Sequence, residues 1–239
     1  MYDYATWNTG DETYSGTEFR RVRFFNSGTV YGNIKYKLQL DFAGGGVSFK
    51  DVYMEAALPY VGNLKVGHFK EPFRLEALTS SKYMTFMERG LPIAFSPERN
   101  VGFMLHDSFM DDKLSIQAGM FREAEKESPG DDTEIDNVNN MTARLTFLPI
   151  NDGQKLLHLG AAFSSRNTSD STYSVSTRPE NHLGTKLLDM DLDNVAGMNL
   201  MGAEMAFVMG SFSVQGEYVM NSVEAMEDYS FSGYYGQVS

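Results

Sequence analysis

The 239-residue sequence contains no cysteine and no long run of apolar residues. The lack of cysteine excludes disulfide scaffolds, thiol nucleophiles and metal sites with cysteine ligands. A membrane-spanning helix needs about 20 consecutive apolar residues, and the mean hydropathy of this chain is only -0.33. Membrane insertion as helices is therefore excluded. A membrane β-barrel is not excluded, because half of the side chains of each strand face water and the average hydropathy remains low.

Signals of enzymatic chemistry are also missing. The four histidines are scattered without the spacing of a metal site, and no G-x-S-x-G motif occurs. His158 and Ser164 fall on one face of a predicted strand, but a hydrolase would also need an oriented acid and oxyanion donors. We predict that the protein is not an enzyme and holds no metal ion or cofactor. A hydrolase carried on a β-barrel remains a distant alternative.

Basic residues are few, with 20 Lys and Arg against 32 Asp and Glu and a net charge of -12. Three segments that we predict to be outer loops, 122–139, 166–196 and 221–230, supply -10 of this charge. Residues 1–110 carry twelve charges of each sign. Runs of one charge are usually solvated surfaces. These loops are candidates for divalent-ion bridges to lipopolysaccharide, and no nucleic-acid partner is expected.

The strongest pattern in the chain is strict alternation of apolar and polar residues. In "NIKYKLQLDF", residues 33–42, apolar side chains from Ile34 onward alternate with charged or polar ones. A period of two predicts a β-strand, but it does not say which face meets solvent. Eleven strands are predicted in this way: 17–30, 34–42, 49–58, 63–69, 101–107, 113–121, 140–148, 156–165, 197–208, 212–220 and 231–238.

Short and long connections alternate between these strands. The turn at 31–33 is tight, for example, whereas the excursion over 70–100 is very long. This order is typical of bacterial outer-membrane barrels, and a Greek-key sandwich has no reason to keep it. A soluble up-and-down barrel would usually close with about eight to ten strands around an apolar interior. We therefore predict an all-β, antiparallel, up-and-down transmembrane β-barrel whose charged face lines a water-filled lumen.

The predicted strands divide the chain into an outer-loop end at residues 1–16 and a partial barrel at 17–239. A strand that ends in a tight periplasmic turn begins outside, so at least one strand is expected upstream of residue 17. Open sheet edges do not occur in lipid. We therefore expect the sequence to be a piece of a larger barrel, or a barrel that a partner completes.

Four motifs stand out in residues 19–103: "LDFAGGGVSFKD" at 40–51, "VGHFKEPF" at 66–73, "SSKYMTFMERGLP" at 80–92 and "ERNVG" at 98–102. Through these motifs, residues 19–103 resemble the phosphate-selective porin O and P family. The resemblance implies a 16-stranded homotrimeric channel of the bacterial outer membrane that passes anions, namely phosphate or polyphosphate. From residue 104 onward the likeness is limited to the layout of strands and loops.

The excursion over 70–100 resembles the family's third loop, which folds into the lumen and narrows it. Within it, "LEALTSSKYMTFMER" at 75–89 has apolar residues three or four apart, which predicts an amphipathic helix. Pro72 suits the start of such a helix, and Gly90 suits its end. We expect a constriction loop with a helix; a lid packed over the channel mouth is the alternative.

Lysine and arginine at the narrow part of a pore select anions, because they replace hydration with charge-assisted contacts. Lys70 and Arg99 lie in the motifs shared with the family, whereas the other candidates rest on strand faces or on the 70–100 loop. The alternative for each is a structural ion pair with Asp41, Asp51, Glu55, Glu71, Glu76 or Glu88. The predicted selectivity residues are Arg21, Arg23, Lys35, Lys37, Lys65, Lys70, Arg74, Lys82, Arg89, Arg99 and Arg144.

Two functional hypotheses follow. The first is a passive, anion-selective porin of the bacterial outer membrane, in contact with the lipid bilayer and lipopolysaccharide. The second is an outer-membrane barrel that acts as a surface receptor or as a structural subunit of an uptake complex, without a selective anion channel. The acidic loops weigh against the first, because acids at a channel mouth repel anions at low salt.

Overall fold

The computed structural model describes residues 1–10, 12–124, 140–167, 172–178 and 181–239. It is almost entirely antiparallel β-structure, with one helical turn, α1, at Leu75–Leu78 and 3-10 turns at Ala43–Gly45 and Leu91–Phe95. No helix in the described ranges has the length and apolarity to cross a bilayer. The strands are β1 Tyr2–Thr9, β2 Glu12–Phe19, β3 Arg23–Val30, β4 Ile34–Asp41, β5 Ser48–Leu58, β6 Gly62–Lys70, β7 Arg99–Phe109, β8 Leu114–Arg122, β9 Asn140–Asn151, β10 Lys155–Asn167, β11 Thr172–Thr177, β12 Leu188–Asp193, β13 Gly197–Met209, β14 Phe212–Glu224 and β15 Tyr229–Val238.

Eleven of these strands form one sheet in the linear order β3 to β10, then β13, β14 and β15. Each strand pairs with its neighbour in the chain, apart from the insertion of β11 and β12, which form a separate hairpin. β1 and β2 form a second separate hairpin. Within the described residues, β3 and β15 are the two edges and do not pair with each other. The predicted up-and-down sheet of eleven strands is confirmed.

The two faces of the sheet have opposite chemistry. Leu38, Phe103 and Met201 lie on the outer face and are 37%, 47% and 52% exposed. On the inner face, Thr142 and Glu217 are buried. This distribution, with apolar residues outside and charged residues inside, is that of a membrane barrel and the reverse of a soluble one. The predicted sidedness, with lipid against the Leu38 face, agrees with it.

The predicted strand 17–30 is wrong as one element. Residues 17–19 belong to β2, which pairs with β1, and the sheet strand begins only at Arg23. At the break, the backbone N–H of Val22 donates to the side-chain carboxylate of Asp41 at 2.9 Å instead of to a backbone carbonyl of β4. The same carboxylate accepts a hydrogen bond from Arg23 Nε at 2.7 Å. Asp41 thereby replaces the ladder bond that continuous pairing would have supplied.

The helix predicted within 75–89 is much shorter than expected, although the prediction of a short helix on a long loop is confirmed. Helical geometry ends at Leu78, where the N–H and the hydroxyl of Thr79 both donate to the Leu75 carbonyl, at 2.8 and 2.7 Å. Thr79 and the two serines that follow are poor helix formers, which favour turns instead. The helix therefore stops after one turn.

The segment between β6 and β7, residues 71–98, is called the inserted loop below. It extends from the ends of β6 and β7 and lies against the inner face of β13 and β14. There Phe73 is fully buried in an apolar cluster with Leu200 and Val219. This packing places the loop across the inside of the sheet. Of the predicted acidic segment 122–139, residues 125–139 lie outside the described part of the chain.

Candidate functional site

A cavity of about 640 Å³ lies between the inserted loop and the inner side of β3, β4, β5 and β7. The β1–β2 hairpin and the end of β11 contribute to its upper rim. Its lining carries nine Lys or Arg side chains and five Asp or Glu side chains, an excess of positive charge in a chain that is acidic as a whole. The basic residues of the lining are Arg20, Arg21, Arg23, Lys37, Lys50, Lys70, Arg89, Arg99 and Arg178.

A β-bulge adds one of these charges. The register between β4 and β5 shifts between Leu38 and Leu40, so that β5 accommodates an extra residue. Lys50 and Asp51, which are consecutive, both line the cavity as a result. A bulge redirects side chains in this way because the extra residue interrupts the alternation of the two faces. Strict alternation would have placed Lys50 on the outer face.

Several basic side chains of the cavity form ion pairs with carboxylates of the sheet. Asp51 accepts from Lys37 Nζ at 2.6 Å and from Arg99 Nε at 2.7 Å. Arg23 is bound by Asp41 in the contact described above. These pairs fix the orientation of the cations and neutralise part of their charge. The charge excess of the cavity therefore rests mainly on other residues.

Lys70 and Arg89 form no ion pair with any carboxylate of the described chain. The Lys70 ammonium donates to the Ala77 carbonyl. Arg89 donates from Nε to the Glu76 carbonyl at 2.9 Å and from Nη2 to the Thr79 carbonyl at 3.0 Å. Backbone carbonyls orient a cation without cancelling its charge, and a guanidinium with five donors keeps three more for a ligand. These two side chains are therefore candidates for binding an anion in the cavity.

Arg21 is a third cation without a carboxylate partner in the described residues. It lies between β2 and β3 and contacts the Met1 sulfur. Withdrawal from water, and then the charge of neighbouring Arg20, lower the pKa of Arg21. Such an environment disfavours the cation, and an anion beside it would relieve this cost. Arg21 therefore adds to the affinity of the cavity for negative charge.

Six of the eleven predicted selectivity residues line this cavity: Arg21, Arg23, Lys37, Lys70, Arg89 and Arg99. The structure places the other five elsewhere. Lys35 and Lys65 flank Glu55 at 3.5 and 3.0 Å. Arg144 pairs with Glu204. Arg74 pairs with Glu217 at 3.0 Å, and Lys82 lies 5.4 Å from the Phe25 ring centroid.

Three cavity bases, Arg20, Lys50 and Arg178, were not predicted. Arg20 belongs to the arginine-rich stretch 20–23, which was a usable signal. Lys50 depends on the bulge, which alternation does not reveal. Arg178 reaches the rim only through the separate β11–β12 hairpin, so its position follows from tertiary structure rather than from local sequence.

An antiparallel membrane β-barrel sheet with a charged inner face and a loop folded against it has the architecture of an outer-membrane porin. The chain belongs to the family of phosphate-selective porins O and P, whose family model matches residues 1–239. It is thus a protein of the bacterial outer membrane. The family predicted from residues 19–103 is confirmed, and the match extends over the whole chain.

Two comparisons with individual proteins agree with this assignment. The chain is 28% identical to Porin O of Pseudomonas aeruginosa over 276 aligned positions that cover 97% of this chain. It spans 58% of the length of that relative. It also superposes on OmpT, an outer-membrane protein of Vibrio cholerae, with a TM-score of 0.55 at 12% identity, covering 99% of this chain and 68% of OmpT. The likeness to OmpT supports the fold alone.

Proposed function

We propose that the protein forms a passive, anion-selective diffusion channel, with phosphate or polyphosphate as its solutes. The main support is the cavity beside the inserted loop, where nine basic side chains face five acidic ones. Lys70 and Arg89 carry most of the selectivity in this proposal, because carbonyl oxygens rather than carboxylates orient them. The inserted loop is the constriction that forces solutes past them.

The cavity chemistry fits transient binding of a multiply charged oxyanion. Charge-assisted hydrogen bonds from Lys70 and Arg89 replace water around the anion, and the hydroxyls of Ser80 and Ser81 add neutral donors. Asp51 and the other acids of the lining limit the total attraction. Conduction needs such a balance, because an anion that is held too tightly does not leave.

The surroundings of the channel belong to the same proposal. The outer apolar face contacts lipid, and three copies assemble as a homotrimer. The acidic outer segments contact lipopolysaccharide through divalent cations. At physiological ionic strength these acids are screened beyond about 8 Å, so they do not override the basic cavity.

The proposal is tested by neutralising the two cations together. Lys70→Gln with Arg89→Gln should lower the anion-to-cation permeability ratio by at least about tenfold, the change expected from the loss of even one of the two charge-assisted contacts at about 1.5 kcal/mol each. The measurement is the reversal potential of the purified protein in a planar bilayer under a KCl gradient.

The matched control is Lys113→Gln with Lys155→Gln, which removes the same charge from exposed positions next to two short turns. This control should leave the ratio nearly unchanged. Equal effects of both pairs would contradict the placement of the filter. A protein that inserts stably and gives no conductance would favour the receptor or uptake-subunit function instead.

A further inference from the structure

The inserted loop crosses the lumen although its ends do not require it to do so. It leaves β6 at Lys70 and enters β7 at Arg99, and these two residues are direct partners in the sheet. A loop between paired neighbouring strands can fold back over its own hairpin. Something on the far side of the sheet must therefore hold it there.

That contact is centred on Glu217 of β14. Its buried carboxylate accepts a hydrogen bond from Arg74 Nη2 at 3.0 Å and one from the backbone N–H of Leu75 at 2.8 Å. The N–H of Glu76 lies 3.3 Å from the same carboxylate. Glu217 thus binds both a buried guanidinium and the first backbone donors of α1, which have no partner inside the helix.

A continuous chain of contacts leads from Glu217 to the cavity. The helical turn held by Glu217 presents the carbonyls of Glu76 and Thr79, which bind the Arg89 guanidinium. The Glu76 carboxylate also accepts from the N–H of Gly90 at 3.0 Å. The position of Arg89 in the cavity therefore depends on the position of α1 as well as on the ion pair of the adjacent Glu88 with Arg20 at 3.0 Å, although Glu217 itself does not line the cavity.

The later part of the loop touches β15 closely but without charged groups. A Cβ atom on Gly90 would lie 3.2 Å from the Tyr235 ring, and one on Gly233 would lie 3.0 Å from Pro92. Phe95 stacks on Phe231 with ring centroids 6.0 Å apart. One long hydrogen bond, from Gln237 Nε2 to Thr85 Oγ1 at 3.4 Å, joins the same two segments. These contacts fit many arrangements, whereas the carboxylate contacts fix one geometry.

We propose that Glu217 is a positioning residue for the anion filter: it holds the inserted loop across the lumen and thereby places Arg89. This inference rests on the proposed anion channel. It also makes a prediction whose sign differs from simple electrostatics. Removing a lumen carboxylate should raise anion preference if charge alone matters, and lower it if the loop moves and takes Arg89 away.

Glu204 offers a matched control. It is the cross-strand partner of Glu217, it is buried on the same face, and it also pairs with an arginine. Its partners Arg144 and His158, however, belong to strands of the sheet rather than to the inserted loop. We expect Glu217→Gln to lower the anion-to-cation permeability ratio severalfold and to raise single-channel conductance. Glu204→Gln should leave the ratio unchanged or raise it.

A second pair of variants keeps the charge constant. Glu217→Asp withdraws the carboxylate by one methylene and should lower the ratio in the same direction, whereas Glu204→Asp should not. Because neither variant changes the net charge, a shift in the first alone reports the position of the loop. Parallel shifts in the Gln pair and in the Asp pair would overturn the proposal.

A chemical tether supplies a readout that does not depend on conduction. The chain has no cysteine, so Pro92→Cys with Gly233→Cys creates a single disulfide between the loop and β15. We expect rapid oxidation in the otherwise native protein, severalfold slower oxidation with Glu217→Gln, and recovery of anion preference once the tether has formed. Unchanged oxidation rates would overturn the role of Glu217. A native protein that conducts without anion preference would instead overturn the proposed function and leave the oxidation result standing.

Discussion

At the scale of single residues, the inner face combines two kinds of charged group. One kind is neutralised locally, as in the ion pairs of Asp51 with Lys37 and Arg99. The other kind, represented by Lys70 and Arg89, is oriented by carbonyl oxygens and has no carboxylate partner in the described residues. The number of basic residues does not distinguish these two kinds of cation. They are distinguished by the group that binds each side chain, a carboxylate or a carbonyl oxygen.

Lys35 and Lys37 lie two positions apart on one strand and are both ion-paired, to Glu55 and Asp51, so they differ in position rather than in pairing. Lys37 lines the cavity, whereas Lys35 is 65% exposed at its side chain and pairs with Glu55 outside it. We therefore expect Lys37→Gln to lower anion preference and Lys35→Gln to change it little. Reversal potentials of the two variants provide the test, and a larger effect of Lys35→Gln would show that the cavity is not the filter.

Glu76 predicts a pH dependence of stability. Burial raises the pKa of Glu76, and the charge of Glu217 adds to this effect. The folded protein therefore binds the proton more tightly than the unfolded chain, so this group costs stability as the pH rises through its ordinary pKa. Glu76→Gln keeps an oxygen for the Gly90 N–H and should raise the thermal unfolding temperature at pH 7 but not at about pH 4. Equal stabilisation at both pH values, measured by circular dichroism in detergent, would rule out this origin.

At the scale of elements, alternation predicts the sheet well, because lipid on one side and water on the other impose a strict period of two. Elements held by distant partners were not predictable. Thr79 ends α1 early, and Arg74 and Arg144 are bound by Glu217 and Glu204, far along the chain. Local sequence carries no signal for such pairings.

The two hairpins outside the sheet meet above the cavity. The His182 imidazole lies 2.6 Å from the Glu18 carboxylate. A Cβ atom on Gly16 would lie 3.4 Å from Leu183 and 3.7 Å from Trp7, so these side chains pack together there. Trp7 is the only tryptophan of the chain. Its fluorescence therefore reports on one site, where Trp7 also stacks on Tyr14 of its own hairpin.

We expect Glu18→Gln to weaken the contact between the hairpins and to shift the emission of Trp7 to longer wavelength, because the indole becomes more exposed to water. Asp189→Asn is the control, since Asp189 pairs with Lys186 within its own hairpin and does not touch β2. An emission spectrum that changes with Asp189→Asn and not with Glu18→Gln would contradict this arrangement of the channel rim.

At the scale of the whole molecule, the charge distribution reconciles an acidic protein with an anion channel. The net charge of -12 comes largely from segments that the sequence places outside the sheet, whereas the cavity lining is basic. Field lines concentrate in a narrow, low-dielectric passage, so the charges nearest the path dominate. Screening by salt weakens the outer acids further.

The reversal potential of the unmodified protein in a planar bilayer, under a tenfold KCl gradient, is the sharpest test of anion selection by the basic cavity. We expect a potential with the sign of the chloride equilibrium potential and a current that added phosphate reduces. A potential near zero, or one with the sign of potassium, would show that the basic cavity beside the inserted loop does not select the permeating ion.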